Sequence, residues 1–121
     1  MAIFVTGGAG YIGTHTILEL LQLGYDVVAA DNYSNSKPEA VKRVKEIAGM
    51  DFSFFEMDVR DEAKLESIFG DFDISCVIHF AGAKAVGESV SLPIKYYSNN
   101  LESTICLCKV MQKHKVKQII F

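Results

Sequence analysis

A chain of 121 residues, half of them apolar, 22% charged and none of them Trp, has globular composition and can bury a core without disulfides or a structural metal. Twelve Lys and Arg against fifteen Asp and Glu give a formal charge of −3, with no basic run able to track a phosphate backbone, which argues against nucleic-acid binding. The opening "MAIFVTGG" carries neither a basic leader nor an apolar run of spanning length, so a cytoplasmic protein with no membrane segment is expected.

Ala2 to Val5 is a short, apolar, β-rich run that "TGGAGYIG" breaks. Tyr11 to Leu23 then sets Ile12, Leu18, Leu21 and Leu23 at helical spacing until Gly24 stops the helix. Tyr25 to Ala30 reads as a second strand closed by "DNYSNSKP", and Pro38 suits the first turn of a helix reaching about Ala48. Asp51 to Met57 is the third strand, and Asp61 to Phe69 a short helix with Asp61 as its cap. Ile74 to Phe80, almost free of polar residues, is a buried fourth strand. Beyond "AGAKAVGESVSLP", Ile94 to Lys113 forms a long helix and Val116 to Phe121 a fifth strand. Strands alternating with helices require a parallel sheet with right-handed crossovers, so the expected fold is α/β, a doubly wound parallel sheet of the Rossmann type. No linker or repeat divides it.

Cys76, Cys106 and Cys108 are odd in number and lack CxxC spacing, so reduced and buried thiols are expected. His15, His79 and His114 lie far apart without a local second ligand, which predicts no metal site. His79 reads as a packed core histidine.

Chemistry gathers at the first turn. Gly8, Gly10 and Gly13 fit GxGxxG, while Gly7, Gly10 and Gly13 fit GxxGxxG, and either match alone is weak. Its position gives the match weight, because the turn follows a strand, opens a helix and precedes an acid, Asp31, at the end of the next strand. Glycines let a pyrophosphate approach backbone amides at the positive end of the helix. Asp31 would accept hydrogen bonds from the adenosine ribose hydroxyls and repel a 2′-phosphate, which favours NAD over NADP. Asp58 and Val59 follow the third strand on the same sheet edge and could hold the adenine, Asp58 through its carboxylate. "HFAG" follows the fourth strand, where small Ala81 and Gly82 would let the chain pass close to the cofactor.

A Tyr and a Lys four apart on a helix would supply the proton transfer of a short-chain dehydrogenase. The one literal match is Tyr33 to Lys37, "YSNSK". It is rejected, since Lys37 precedes Pro38 and the stretch reads as a loop. These residues are read instead as lining the adenosine ribose. No catalytic residue is therefore assigned within the chain.

"VTGGAGYIGTH", "DNYSNSK", "VIHFAGAKAVGES", "YYSNN" and "VKQIIF" together resemble the UDP-glucose 4-epimerases of the extended short-chain dehydrogenase/reductase family, over essentially Ile3 to Phe121. The resemblance implies an NAD-dependent enzyme interconverting UDP-glucose and UDP-galactose by transient hydride transfer at sugar carbon 4, with a UDP-sugar as its partner and a homodimer as an allowed assembly. It implies backbone contact of Tyr11 and Ile12 with the pyrophosphate, Asp31, Asn32, Tyr33, Ser34, Asn35 and Ser36 at the adenosine ribose, and Asp58 and Val59 at the adenine. Phe80, Ala81, Gly82, Ala83 and Lys84 would flank the cofactor, Lys84, Ala85 and Val86 would touch the sugar nucleotide, and Asn99 would hydrogen-bond near the cofactor.

In such enzymes the strand ending "IIF" runs on into a Ser-rich loop, a Tyr-x-x-x-Lys helix and a C-terminal region for the uridine diphosphate. The expectation is thus an NAD-binding portion, residues 1–121, cut after the fifth strand and inactive by itself. The alternatives are a related sugar-nucleotide dehydratase or reductase, and a stand-alone, non-catalytic NAD-binding module.

Overall fold

Strand and helix alternate along the computed structural model, which describes residues 1–33, 36–81 and 93–121. The elements are β1 (Ala2–Thr6), α1 (Tyr11–Gln22), β2 (Asp26–Asp31), α2 (Pro38–Ala48), β3 (Ser53–Glu56), α3 (Glu62–Asp71), β4 (Ile74–His79), α4 (Pro93–Lys113) and β5 (Ile119–Ile120). The strands form one parallel sheet in the order β3-β2-β1-β4-β5. This is the doubly wound architecture expected from the sequence.

Both faces of the sheet are covered because each inner strand is apolar at nearly every position, so alternate side chains enter different cores. From β1, Ala2 and Phe4 join Val28, Ala30 and Val77 beneath α3 and α4, where Leu65, Ile68, Leu107 and Val110 close the layer. Val5 joins Val27, Ala29 and Ile78 on the opposite face, against Ile17 and Leu21 of α1 and Val41 and Val44 of α2.

The ends of the elements follow local chemistry. Asp61 caps α3 by accepting the Lys64 amide at 3.2 Å, as expected. Pro38 occupies the first turn of α2, and Gly49 closes that helix at φ 65°, where a Cβ would be strained. The fifth strand is shorter than the predicted Val116 to Phe121. Lys115 turns into the left-handed region at φ 60°, and the Val116 amide bonds back to Met111 O at 2.9 Å, so the start of that segment finishes α4. Only Ile119 and Ile120 then lie in register with Val77 and Ile78.

The cysteines also depart from expectation. All three are free thiols, but Cys76 and Cys106 are half-buried and Cys108 is exposed. The cause is helical phase: α4 turns Leu107, Val110 and Met111 into the core, which leaves Leu101, Ile105 and Cys108 on its outer side. Among the described residues no helix is long and apolar enough to cross a membrane, and no cluster of three metal-binding side chains occurs.

Candidate functional site

The strand order reverses at β1: the chain leaves it toward β2 on one side and returns to β4 on the other. A crevice opens at such a point outside the carboxyl ends of the strands. Register brings Thr6 level with both Ala30 and His79, and Asp31 level with Glu56, so the loops that follow β1, β2, β3 and β4 leave from one edge.

The turn after β1 is built almost wholly from backbone. The Gly8 amide donates to Ala30 O at 3.1 Å, the Gly10 amide to Gly7 O at 3.2 Å, and the Thr14 amide to Gly10 O at 2.9 Å as the first bond of α1. The amides of Tyr11, Ile12 and Gly13 precede that bond and have no acceptor within the helix. With the positive end of the helix dipole behind them, they form an anion site.

Three of the four glycines are required by the chain itself. Gly7 stands at φ 68°, and a Cβ there would lie 2.8 Å from Ala81 N and 2.9 Å from the Phe80 carbonyl carbon. A Cβ on Gly8 would meet the Ala29 methyl at 2.9 Å, and one on Gly13 would run into Gly7 O. Gly10 differs. Among the described residues a Cβ on it would find only Gly7 O, at an ordinary 3.4 Å, and its φ of −75° and ψ of 173° suit any residue. Packing among the described residues does not call for glycine at position 10, whereas a group approaching the helix end from the crevice would.

Asp31 ends β2 and is half-buried. Its Oδ2 accepts the Ala9 amide at 3.0 Å and its Oδ1 the Tyr33 amide at 2.9 Å. One carboxylate therefore ties the glycine turn to the β2 loop, a role the sequence did not disclose. Among the hydrogen bonds of the described residues each oxygen keeps a second acceptor direction, enough for a vicinal diol. Nearby, Ser36 Oγ is buried with no hydrogen-bond partner among the described residues, which suits a polar ligand group.

The rejected Tyr33 to Lys37 pair is not helical. Tyr33 sits at φ 59°, and Lys37 is extended at φ −129° and ψ 149° as the residue before α2. The Tyr33 ring lies 5.6 Å from that of Phe54, centroid to centroid. Burial, then the carboxylates of Glu56 and Asp31, push its phenol above the ordinary value, opposite to what a general base needs.

At the end of β3, Val59 is buried in the core, so its backbone is what faces the edge. Asp58 is gripped by Arg60: Nε to Oδ1 at 3.0 Å, Nη2 to Oδ2 at 2.8 Å and the Arg60 amide to Oδ1 at 2.9 Å. This side-chain fork is the main cause that holds the Asp58 carboxyl below the usual carboxylate range, and a hydrogen bond from the Asn32 side chain adds to it. Arg60 was not singled out from the sequence. The signal was present in "DVR", an acid and an arginine two apart after a strand.

At the end of β4, His79 is buried as expected, with its Nδ1 2.6 Å from Thr6 Oγ1. Thr6 Oγ1 also accepts the Ala81 amide at 3.1 Å. On the other side of the ring, His79 Nε2 lies 3.4 Å from Thr104 Oγ1, and Thr104 donates to Asn100 O at 2.9 Å. The chain of bonds fixes the start of the β4 loop against β1 and α4. Ser34, Asn35, Gly82, Ala83, Lys84, Ala85 and Val86 lie outside the described residues, as does the side chain of Asn99.

A doubly wound sheet with a glycine turn at its switch point, an acid ending β2 and a second acid after β3 defines the nucleotide-binding class of α/β domains. The model of the NAD dependent epimerase/dehydratase family matches residues 3–121, and the chain belongs to that family. It is 58% identical to the UDP-glucose 4-epimerase of Bacillus subtilis over 121 residues, all of this chain and 36% of that protein. With the human UDP-glucose 4-epimerase it shares 49% identity, over 98% of this chain and 36% of the relative. Among solved structures, UDP-glucose 4-epimerase from Bifidobacterium longum in complex with NAD+ and UDP superposes with a TM-score of 0.98 at 58% identity, covering 100% of this chain and 36% of that one. The chain thus spans about a third of the length of the relatives it matches.

Proposed function

We propose that these 121 residues hold NAD as the dinucleotide-binding portion of a cytoplasmic UDP-glucose 4-epimerase. The observation that carries the reading is Gly10, the one glycine of the turn that packing does not require, set at a helix end with three amides available. Asp31 and the orphaned Ser36 hydroxyl add the acceptors and the polar contact that an adenosine ribose needs. The matched solved structure from Bifidobacterium longum holds NAD+ and UDP, and the matched family is NAD dependent.

On this reading, Tyr11, Ile12 and Gly13 present amides to the pyrophosphate, and the segment from Asp31 to Ser36 takes the ribose. Asp58 and Val59 meet the adenine. Phe80 to Lys84 flank the cofactor, with Lys84 near the nicotinamide ribose, Lys84 to Val86 touch the sugar nucleotide, and Asn99 hydrogen-bonds near the cofactor. NAD supplies the acceptor that takes hydride from sugar carbon 4 and returns it to the other face. The resemblance assigns the tyrosine and lysine of that reaction to a region outside these 121 residues, and on this reading the 121 residues alone bind the cofactor without turning over substrate.

Isothermal titration of the purified chain with NAD and NADP, beside an assay with UDP-galactose, tests this. The expected result is NAD binding at least about 10-fold tighter than NADP, as one repelling charge implies, with no UDP-glucose formed. Equal affinity for the two would overturn the role of Asp31, and turnover would overturn the division of labour.

A further inference from the structure

Arg60 is held from several directions, and the binding reading gives it no role. Its amide and two side-chain nitrogens go to Asp58, and its carbonyl takes the Cys106 thiol at 3.3 Å. Its Nη1 lies 3.8 Å from Glu102 Oε2, while Glu102 is steadied through Oε1 by the Ser98 hydroxyl at 3.1 Å. Helix α4 thus anchors the arginine, and the arginine anchors Asp58. From the other direction the Asn32 side chain, on the β2 loop, hydrogen-bonds the same carboxylate. Asp58 therefore stands between a fixed cation and the loop that borders the crevice.

We propose that Arg60 is a positioning residue that sets the purine specificity of the adenine-side subsite, by locking Asp58 as an acceptor-only group facing the β2 loop. This rests on the NAD reading. A locked carboxylate with no proton to give accepts from the amino group of a 6-aminopurine in the direction that the Asn32 side chain takes here. A 6-oxopurine would bring a second acceptor against it and leave both unpaired. An arginine fork is suited to the task, because it fixes the plane of the carboxylate as well as its charge, which a lysine does not. Without the fork Asp58 can swing away toward solvent, and the two purines become nearly equivalent.

The test compares the dissociation constants of NAD and of its hypoxanthine analogue, deamino-NAD, for the unmodified chain, Arg60→Met and Arg60→Lys. The unmodified chain is expected to prefer NAD by about 10-fold or more, the effect of one hydrogen bond to a charged group. Arg60→Met should reduce that preference to about 3-fold or less, with Arg60→Lys in between. The ratio separates this role from a merely structural one, since general loosening of the loop weakens both dinucleotides alike. If Arg60→Met does not fold, Arg60→Lys reads the same ratio with the charge retained. Tight NAD binding with an unchanged ratio in a folded variant overturns the role of Arg60 alone. A chain that binds neither dinucleotide overturns the NAD reading and the inference with it.

Discussion

Gly7→Ala is expected to destabilise the chain by ~2–5 kcal/mol and to abolish measurable NAD binding. Two effects add. The backbone at φ 68° disfavours any L side chain, by about 1–2 kcal/mol. The new methyl would also lie 2.8 Å from Ala81 N and 2.9 Å from the Phe80 carbonyl carbon, and backbone on two sides cannot rotate away, which costs about 1–3 kcal/mol more. Relief means lifting the turn off Phe80 and Ala81, which on the proposed reading spoils the amides offered to the pyrophosphate and the segment that flanks the cofactor together. Gly24→Ala separates the two effects, since Gly24 has φ 89° and a methyl added there would meet nothing within 4 Å. It should show the conformational cost and leave NAD binding intact, as urea unfolding and titration of both variants would reveal.

Asp31→Ala is expected to weaken NAD by about 100-fold, the combined loss of two hydrogen bonds from ribose hydroxyls to a charged acceptor. NADP should be weakened far less, because the group that repels its 2′-phosphate is removed along with the acceptor. Stability should fall by about 1–3 kcal/mol, because the Ala9 and Tyr33 amides lose their acceptor in a part-buried setting. Asp31→Asn distinguishes the two jobs. It keeps an acceptor for one amide and loses the charge, so NAD should weaken with a smaller stability loss. Titration with both dinucleotides, paired with thermal unfolding, reads affinity and stability separately.

What the sequence disclosed and what it withheld divide along a physical line. Strand and helix could be read because each is a local period, and the glycine turn because its two overlapping spacings fall within seven residues bounded by a strand and a helix. Asp31 could be assigned a ligand role by its place after β2. Its bond to Ala9, 22 residues away, exists only once β1 and β2 lie side by side. The fork of Arg60 on Asp58 depends on how the β3 loop folds, which no spacing rule specifies. The same holds for the shortened β5, set by a left-handed Lys115 where no glycine marks the turn. "TICLCKVM" concealed the exposure of Cys108 because apolar residues occupy both the inner and the outer side of α4, so the pattern does not reveal its phase.

On the proposed reading the N-terminal end of α1 is shaped for a ligand rather than for packing, and Gly10→Ala puts this to the test. Calorimetric titration with NAD, run beside urea unfolding of the same sample, should find a fold within about 0.5 kcal/mol of the unmodified chain and NAD affinity reduced by at least about 10-fold. A variant that binds NAD as tightly as the unmodified chain would contradict the account.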